Sequence, residues 1–263
     1  MAWSDPRPER NGAFVRVDDF DMYYEVVGQG PPLLLLNGGF GMTTSINAAL
    51  DAFGRHFRVH AIDARGHGKS GFGQGPVTYA REAADAVAFM EALGFEAMHV
   101  FGHSDGGCAA LHLLFDYPHR VLSATLSGTP CNRDSYDDAA RAMTRELPRL
   151  IAEGKEDPMG LTNILLGLGM PPEKLQRLGA ALQRAWATTP NISLDMLGAI
   201  DRPVLVLEAH KDEYIALEKM REMTRAIPGA WACDLPETTH NFRPQAEEIG
   251  RAMADFVAAI DAA

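Results

Sequence analysis

Short apolar runs separated by turn-forming residues dominate both ends of the chain. Phe14-Val15-Arg16-Val17 and Met22-Tyr23-Tyr24-Glu25-Val26-Val27 predict a hairpin, with Asp18, Asp19 and Asp21 around its turn. Gly28-Gln29-Gly30-Pro31-Pro32 breaks the chain after it. Leu33-Leu34-Leu35-Leu36 then shows no alternation, the pattern of a strand covered on both faces in a parallel sheet. Arg58-Val59-His60-Ala61-Ile62-Asp63, Met98-His99-Val100-Phe101, Val121-Leu122-Ser123-Ala124-Thr125-Leu126, Val204-Leu205-Val206-Leu207 and Trp231-Ala232-Cys233-Asp234-Leu235 read as further strands of that kind.

Helical patterns lie between most of them. Thr78 caps a helix carrying Ala83, Val87, Met90 and Leu93, with Gly94 as its stop. A closing amphipathic helix runs from Arg243 to Ala259 through Ile249, Met253, Phe256 and Val257. Strand–helix alternation predicts an α/β architecture: a mostly parallel sheet covered by helices on both faces. Residues 130–196 break the alternation, with three apolar helix faces and no strand between them. Leu147, Leu150 and Ile151 make one face. Leu161, Ile164, Leu165 and Leu168 make the next, and Leu175, Leu178, Leu182 and Trp186 the third. The expected organisation is therefore a core of residues 1–129 and 197–263 with a small helical cap at 130–196. Residues 1–12, rich in proline and charge, read as a loose lead-in.

Composition narrows the partners. A net charge of -11 repels phosphate backbones and anionic bilayers, so neither a nucleic-acid nor a membrane partner is expected. Cys108, Cys131 and Cys233 are odd in number and widely spaced, which disfavours a disulfide framework or a structural metal. Residues 1–10 lack the apolar core of a secretory signal, and no later run is long enough to span a bilayer. These features lead to the expectation of a cytoplasmic protein. Oligomeric state is not legible.

The candidate chemistry sits at strand ends. Met98–Phe101 leads straight into Gly102-His103-Ser104-Asp105-Gly106-Gly107, and Cys108–Leu114 then reads as helix. A strand, G-x-S-x-G and a helix in succession is the context of a nucleophilic serine. Gly102 and Gly106 leave room for the sharp turn, and Ser104 gains the amides of a helix N-terminus. Asn37-Gly38-Gly39-Phe40-Gly41 follows the leucine strand. The amides of Gly39 and Asp105 are the candidate oxyanion donors, with Gly38 an alternative to Gly39. A serine hydroxyl needs a base, and His240 follows the last strand and precedes the closing helix. The orienting acid comes from the loop after Val204–Leu207, where Asp212 is favoured over Glu208 and Glu213. The order Ser104, Asp212, His240 is that expected for this arrangement. His67 reads as a structural hydrogen-bonder and His103 as a packed or outward side chain. His210 and Asp212 alone are too few ligands for a metal, so no metal and no cofactor is expected.

On these residues the chain resembles the α/β-hydrolase superfamily, in its esterase, lactonase and C–C hydrolase branch. The resemblance also runs through Tyr23-Tyr24-Glu25 and Asp63-Ala64-Arg65-Gly66-His67-Gly68-Lys69-Ser70, and covers roughly residues 20–130 and 200–260. Two departures stand out: Asn37 where such proteins usually carry His, and Ala209 where Gly is common. The resemblance implies an α/β-hydrolase fold and excludes the branches that use an aspartate nucleophile. It implies hydrolysis of a small ester or lactone through an acyl-enzyme. C–C cleavage of a β-diketone, acyl transfer to another acceptor, and ligand binding without turnover are the alternatives. It also makes residues 130–196 a cover over the site, where Met143, Leu147, Leu150, Ile151, Ile164, Leu165, Leu168, Met170 and Trp186 are available as pocket walls. Phe40, Met143, Leu147 and Trp186 are the expected substrate contacts, and they point to a largely apolar ligand.

Overall fold

The leucines of the first parallel strand divide between two cores. In the computed structural model, which describes residues 12–262, Leu34 and Leu36 enter one buried cluster and Leu33 and Leu35 the other. Val204 and Val206 divide from Leu205 and Leu207 in the same way. Strands wetted on neither face need no polar alternation, and each buried Leu or Val contributes roughly 1.5–3 kcal/mol.

The strands are β1 (Ala13–Val17), β2 (Phe20–Val27), β3 (Pro32–Leu36), β4 (Arg58–Ile62), β5 (Met98–His103), β6 (Val121–Ser127), β7 (Val204–Lys211) and β8 (Trp231–Thr239). They form one sheet in the order β1-β2-β4-β3-β5-β6-β7-β8. β1 pairs antiparallel with β2, and β2 with β4; every other pairing is parallel. The helices are α1 (Asn47–Phe53), α2 (Tyr79–Ala92), α3 (Asp105–Asp116), α4 (Asp138–Ala152), α5 (Leu161–Gly167), α6 (Pro172–Thr188), α7 (Leu194–Leu197), α8 (Leu217–Ala226) and α9 (Ala246–Asp261). Residues of α2, α3 and α8 fill one core, and those of α1 and α9 the other. Between β6 and β7 the chain is helical, through α4 to α7. Leu147, Ile151, Leu165, Leu175, Leu178 and Leu182 of this stretch make a third cluster, closed by Phe40 and Met42 from the loop after β3.

Thr78 caps α2 as the sequence indicated, its hydroxyl accepting from the Arg81 amide, and Gly94 adopts left-handed geometry at φ 77°. Two expectations needed revision. β8 is not covered on both faces: it is the sheet edge, Trp231 is 47% exposed, and the strand runs on to Thr239. The closing helix begins as a 3-10 turn over Arg243–Gln245 before α9 starts. Most of the lead-in, residues 1–11, lies outside the described residues.

The turn after β4 is locked by ionic contacts. Asp63 accepts from the amides of Thr43 and Lys69, each at 2.7 Å. The Arg65 side chain is fully buried and grips Asp85 with two bonds, of 2.8 and 2.7 Å, while also donating to Asp19 and to the Phe72 carbonyl. His67 turns its Nδ1 to the Arg65 carbonyl at 3.0 Å. From α6, Lys174 donates to the carbonyls of Gly68 and Ser70, tying that helix to the turn. Removing one partner of a buried pair leaves the other charge without compensation. Arg65→Met is therefore expected to lower the unfolding free energy by about 3–5 kcal/mol in urea denaturation. A loss under about 1 kcal/mol would mean that water reaches Asp85 and replaces the guanidinium.

Candidate active site

Ser104 stands between β5 and α3 with φ 53° and ψ -118°. Its amide donates to the Ser127 carbonyl at 2.9 Å, and its carbonyl accepts from Gly107 at 2.9 Å. The flanking glycines are required by clearance. A Cβ on Gly106 would lie 2.2 Å from the Leu36 carbonyl oxygen, and one on Gly102 would lie 2.6 Å from the Gly106 oxygen.

Asp212 and His240 meet from the loops after β7 and β8. His240 Nδ1 lies 2.9 and 3.1 Å from the two Asp212 oxygens. A carboxylate only accepts, so Nδ1 carries the proton and Nε2 is left as the basic nitrogen. The Asp212 side chain is 1% exposed. Its Oδ1 also accepts from the amides of Tyr214 and Ile215, at 2.9 Å each, which fixes its rotamer in an Asx turn. The His240 ring lies 4.7 Å from Tyr214, edge to face, and 4.8 Å from His103. Glu208, the competing acid, is occupied elsewhere: it accepts from Arg221 and Thr224 of α8. Glu213 accepts the His240 amide at 3.0 Å. His210 pairs with Asp234 instead of converging with Asp212.

Ser104 and His240 line the same cavity, with about 570 Å³ of empty space including its mouth. Phe40, Met143, Leu147 and Trp186 line it too, together with Gly39 and Asp105. Tyr136, Thr144, Met159, Leu161 and Tyr214 complete the wall and were not singled out from the sequence. Leu165, Met170 and Ile151 pack into the third core cluster. The candidate oxyanion loop turns through Gly38–Gly41, closed by a 2.8 Å bond from the Gly41 amide to the Gly38 carbonyl, with Phe40 at φ 59°. Gly39 has a reason beyond backbone approach: a Cβ there would lie 2.4 Å from the Trp186 ring and 2.7 Å from Asp105 Oδ2. Phe40 packs edge to face on Trp186 at 5.8 Å.

The side chain of Asp105 is the feature that local reading overlooked. Its carboxyl is buried beside Ser104, accepting from Tyr79 Oη at 2.9 Å and Trp186 Nε1 at 2.7 Å. Burial pushes its pKa up to about 6, against the pull of these two bonds. No salt bridge to a cationic side chain is formed by Asp105 among the described residues. Its partners lie 26 and 81 residues away in sequence, so no local motif signals them.

Comparison with known proteins agrees with the topology. A sequence profile of the family described as alpha/beta hydrolase fold matches residues 31–155. Serine hydrolase BPHL of Homo sapiens is 25% identical over 253 residues, covering 93% of this chain and 86% of that protein. The dihydrolipoyllysine-residue acetyltransferase component of the acetoin cleaving system of Cupriavidus necator is 38% identical over 116 residues, which are 43% of this chain. The chain spans only 30% of that relative's length, and 44% of a relative from Azorhizobium caulinodans at 35% identity. Among solved structures, a hydrolase from Pseudomonas aeruginosa PA01 superposes with a TM-score of 0.73 at 25% identity, covering 94% of this chain and 98% of that one. The fold is that of the α/β-hydrolase superfamily, whose profile matches residues 31–155.

Asp105 makes stability depend on pH in a defined direction. An unfolded aspartate releases its proton near 3.8, whereas the folded one holds it to about 6. The native state binds the extra proton, so this group's contribution falls as pH rises between those values, by up to about 3 kcal/mol above them. Asp105→Asn removes the titration. The difference in unfolding free energy between variant and wild type is expected to move by about 2 kcal/mol in the variant's favour from pH 4 to pH 7. A difference that stays constant with pH would show that the carboxyl titrates at its ordinary value.

Proposed function

We propose that the chain is a serine hydrolase that opens a carboxylic ester or lactone through an acyl-enzyme. The observation that carries this reading is the convergence of Ser104 and His240 on one cavity, with Asp212 held behind the imidazole. Ser104 Oγ attacks the carbonyl while His240 Nε2 takes its proton. Asp212 keeps the imidazole in the required tautomer and stabilises the imidazolium. The amides of Gly39 and Asp105 receive the oxyanion, each contributing about 3 kcal/mol. His240 then protonates the leaving alcohol, and on the return activates water to release the acid. No cofactor enters these steps. Residues 130–196 act as the cap, and its Met143, Leu147 and Trp186 hold the apolar part of the substrate. The three free thiols fit a reducing, cytoplasmic setting.

Asp105 adds to the substrate class. Asp105 has two neutral hydrogen-bond donors and no salt-bridge partner among the described residues; only the His240 ring nearby favours its charge, and each carboxyl oxygen retains a lone pair. A substrate that carries an ammonium group near the scissile carbonyl supplies the missing charge. A neutral substrate leaves that charge beside the oxyanion loop, where it opposes the developing oxyanion.

The first test is turnover of chromogenic esters and lactones by wild type and Ser104→Ala. Activity that falls about 10⁴-fold or more in the variant is expected. A wild type inactive on every ester and lactone would overturn the reading in favour of C–C cleavage, assayed on a vinylogous diketone, or of binding alone. The second test compares an aminoacyl ester with its des-amino counterpart. Asp105→Asn is expected to lower the ratio of their kcat/KM values about 30-fold, the loss of roughly 2 kcal/mol of buried charge pairing. An unchanged ratio would remove the ammonium from the substrate description.

A further inference from the structure

A second, small cavity lies at the start of the oxyanion loop and shares no lining residue with the substrate cavity. Asn37, Arg65, Glu82 and Asp85 are its polar walls; Leu36, Gly106 and Ala109 are among the others. Its volume admits about one water molecule. Asn37 opens the oxyanion loop directly after β3, and its carbonyl oxygen presses on the elbow: a Cβ on Gly106 would lie 2.6 Å from it. Asn37 Nδ2 is buried and has no protein acceptor. An amide left so costs about 1–3 kcal/mol unless water satisfies it. Arg65 and Asp85 are committed to each other. Glu82, one turn inside α2, is the remaining polar wall and is 9% exposed. Burial, with the carboxylates of Asp105 and Asp85 nearby, holds its pKa well above the usual range, and Arg65 opposes this only in part. Burial and the neighbouring carboxylates thus favour the protonated form of Glu82, which donates a hydrogen bond as well as accepting one.

We propose that Glu82 and Asn37 are a positioning pair for the oxyanion loop, joined through one water molecule in the cavity at its base. The water accepts from Asn37 Nδ2 and exchanges a hydrogen bond with the Glu82 carboxyl, which gives it the two or more polar partners a buried water needs. The pair fixes where the loop leaves β3. The turn beyond Asn37 is already constrained by the Gly41 to Gly38 bond and by Phe40 at φ 59°. Shifting Asn37 therefore carries the Gly39 amide with it. Asn37 and Glu82 do not touch the substrate, so their removal acts on transition-state stabilisation and leaves ground-state binding in place.

The kinetic part of the proposal rests on the serine-hydrolase reading; the structural part does not. A high-resolution crystal structure is expected to show a water within hydrogen-bond distance of both Asn37 Nδ2 and the Glu82 carboxyl. A direct Asn37–Glu82 contact, or no water there, overturns the proposal whether or not the protein hydrolyses any ester. On an ester that wild type turns over, Glu82→Leu and Asn37→Leu are each expected to lower kcat about tenfold or more with KM within about threefold, a fraction of the loss for a deleted oxyanion donor. Glu82→Gln, neutral and of the same shape, is expected to stay within about twofold of wild-type kcat, and the double leucine variant to be no worse than the poorer single. Folded Glu82→Leu with wild-type kcat, or Glu82→Gln as impaired as Glu82→Leu, overturns it. Should Glu82→Leu not fold, Asn37→Leu decides in the same way, with unchanged kcat or a change confined to KM as the contrary result.

Discussion

The strained turn at Ser104 is the constraint to which the surrounding structure conforms. A non-glycine residue at φ 53° costs about 1–3 kcal/mol and persists only where neighbours over-determine it. Here the Ser127 carbonyl holds the Ser104 amide from β6, and the first turn of α3 holds its carbonyl. The sharpness of the turn brings Gly106 against the end of β3, where its missing side chain leaves the Leu36 and Asn37 carbonyls in place. The oxyanion loop thus starts at a position dictated by the elbow. The same turn ends β5 at the carboxyl edge of the sheet, where β7 and β8 deliver Asp212 and His240. A parallel arrangement of β5, β6, β7 and β8 is what makes residues 104, 212 and 240 neighbours despite their separation in sequence.

Legibility followed the range of the interaction that fixes each feature. The unalternated strands were readable because double-sided burial leaves its mark on four successive residues of β3 and six of β7. The elbow was readable because its steric demand falls on residues two positions apart. Asp212 could be preferred to Glu208 by its distance beyond the strand, and the structure supplies the physical reason, since Glu208 is still within β7 and faces Arg221. β8 misled because an apolar start does not reveal that a strand is last in the sheet; Trp231 spends its ring on Phe256 of α9 while remaining half in water. The role of the Asp105 side chain was not legible at all. As a sequence feature it is an acid in the first turn of a helix, and only the tertiary approach of Tyr79 and Trp186 turns it into a buried group with a raised pKa.

Trp186 links the helical segment between β6 and β7 to the chemistry of the sheet. One indole serves three contacts: its Nε1 donates to Asp105, its ring covers Gly39, and its face meets Phe40. At the other end of α6, Lys174 is anchored on the turn after β4. The helix is pinned at both ends, by Lys174 to the turn after β4 and by Trp186 to Asp105 in the cavity wall. α4 and the Met159–Leu161 stretch, which supply the opposite wall, have no comparable polar tether to the elbow among the described contacts. The cavity is therefore bounded by a tethered wall at Trp186 and, opposite, by an apolar one that includes Met143, whose long unbranched side chain can repack.

The placement of Asp105 joins specificity to rate. Its Oδ2 approaches the site of Gly39, the residue whose amide is proposed to receive the oxyanion. On that reading a negative charge there works against the charge that develops on the carbonyl oxygen, the more so because Asp105 is buried. A proton on Asp105 relieves it, but with a pKa of about 6 that proton is mostly absent at neutral pH. The ammonium of the proposed substrate would relieve it as well, and only while that substrate is bound. On the serine-hydrolase reading, the cation is then worth more in the transition state than in the ground state, because the carboxylate it neutralises is most harmful when the oxyanion is present. Binding energy realised in that way raises kcat and not merely affinity. A neutral ester would meet an intact nucleophile and an impaired oxyanion site, so discrimination would arise in the chemical step as much as in binding.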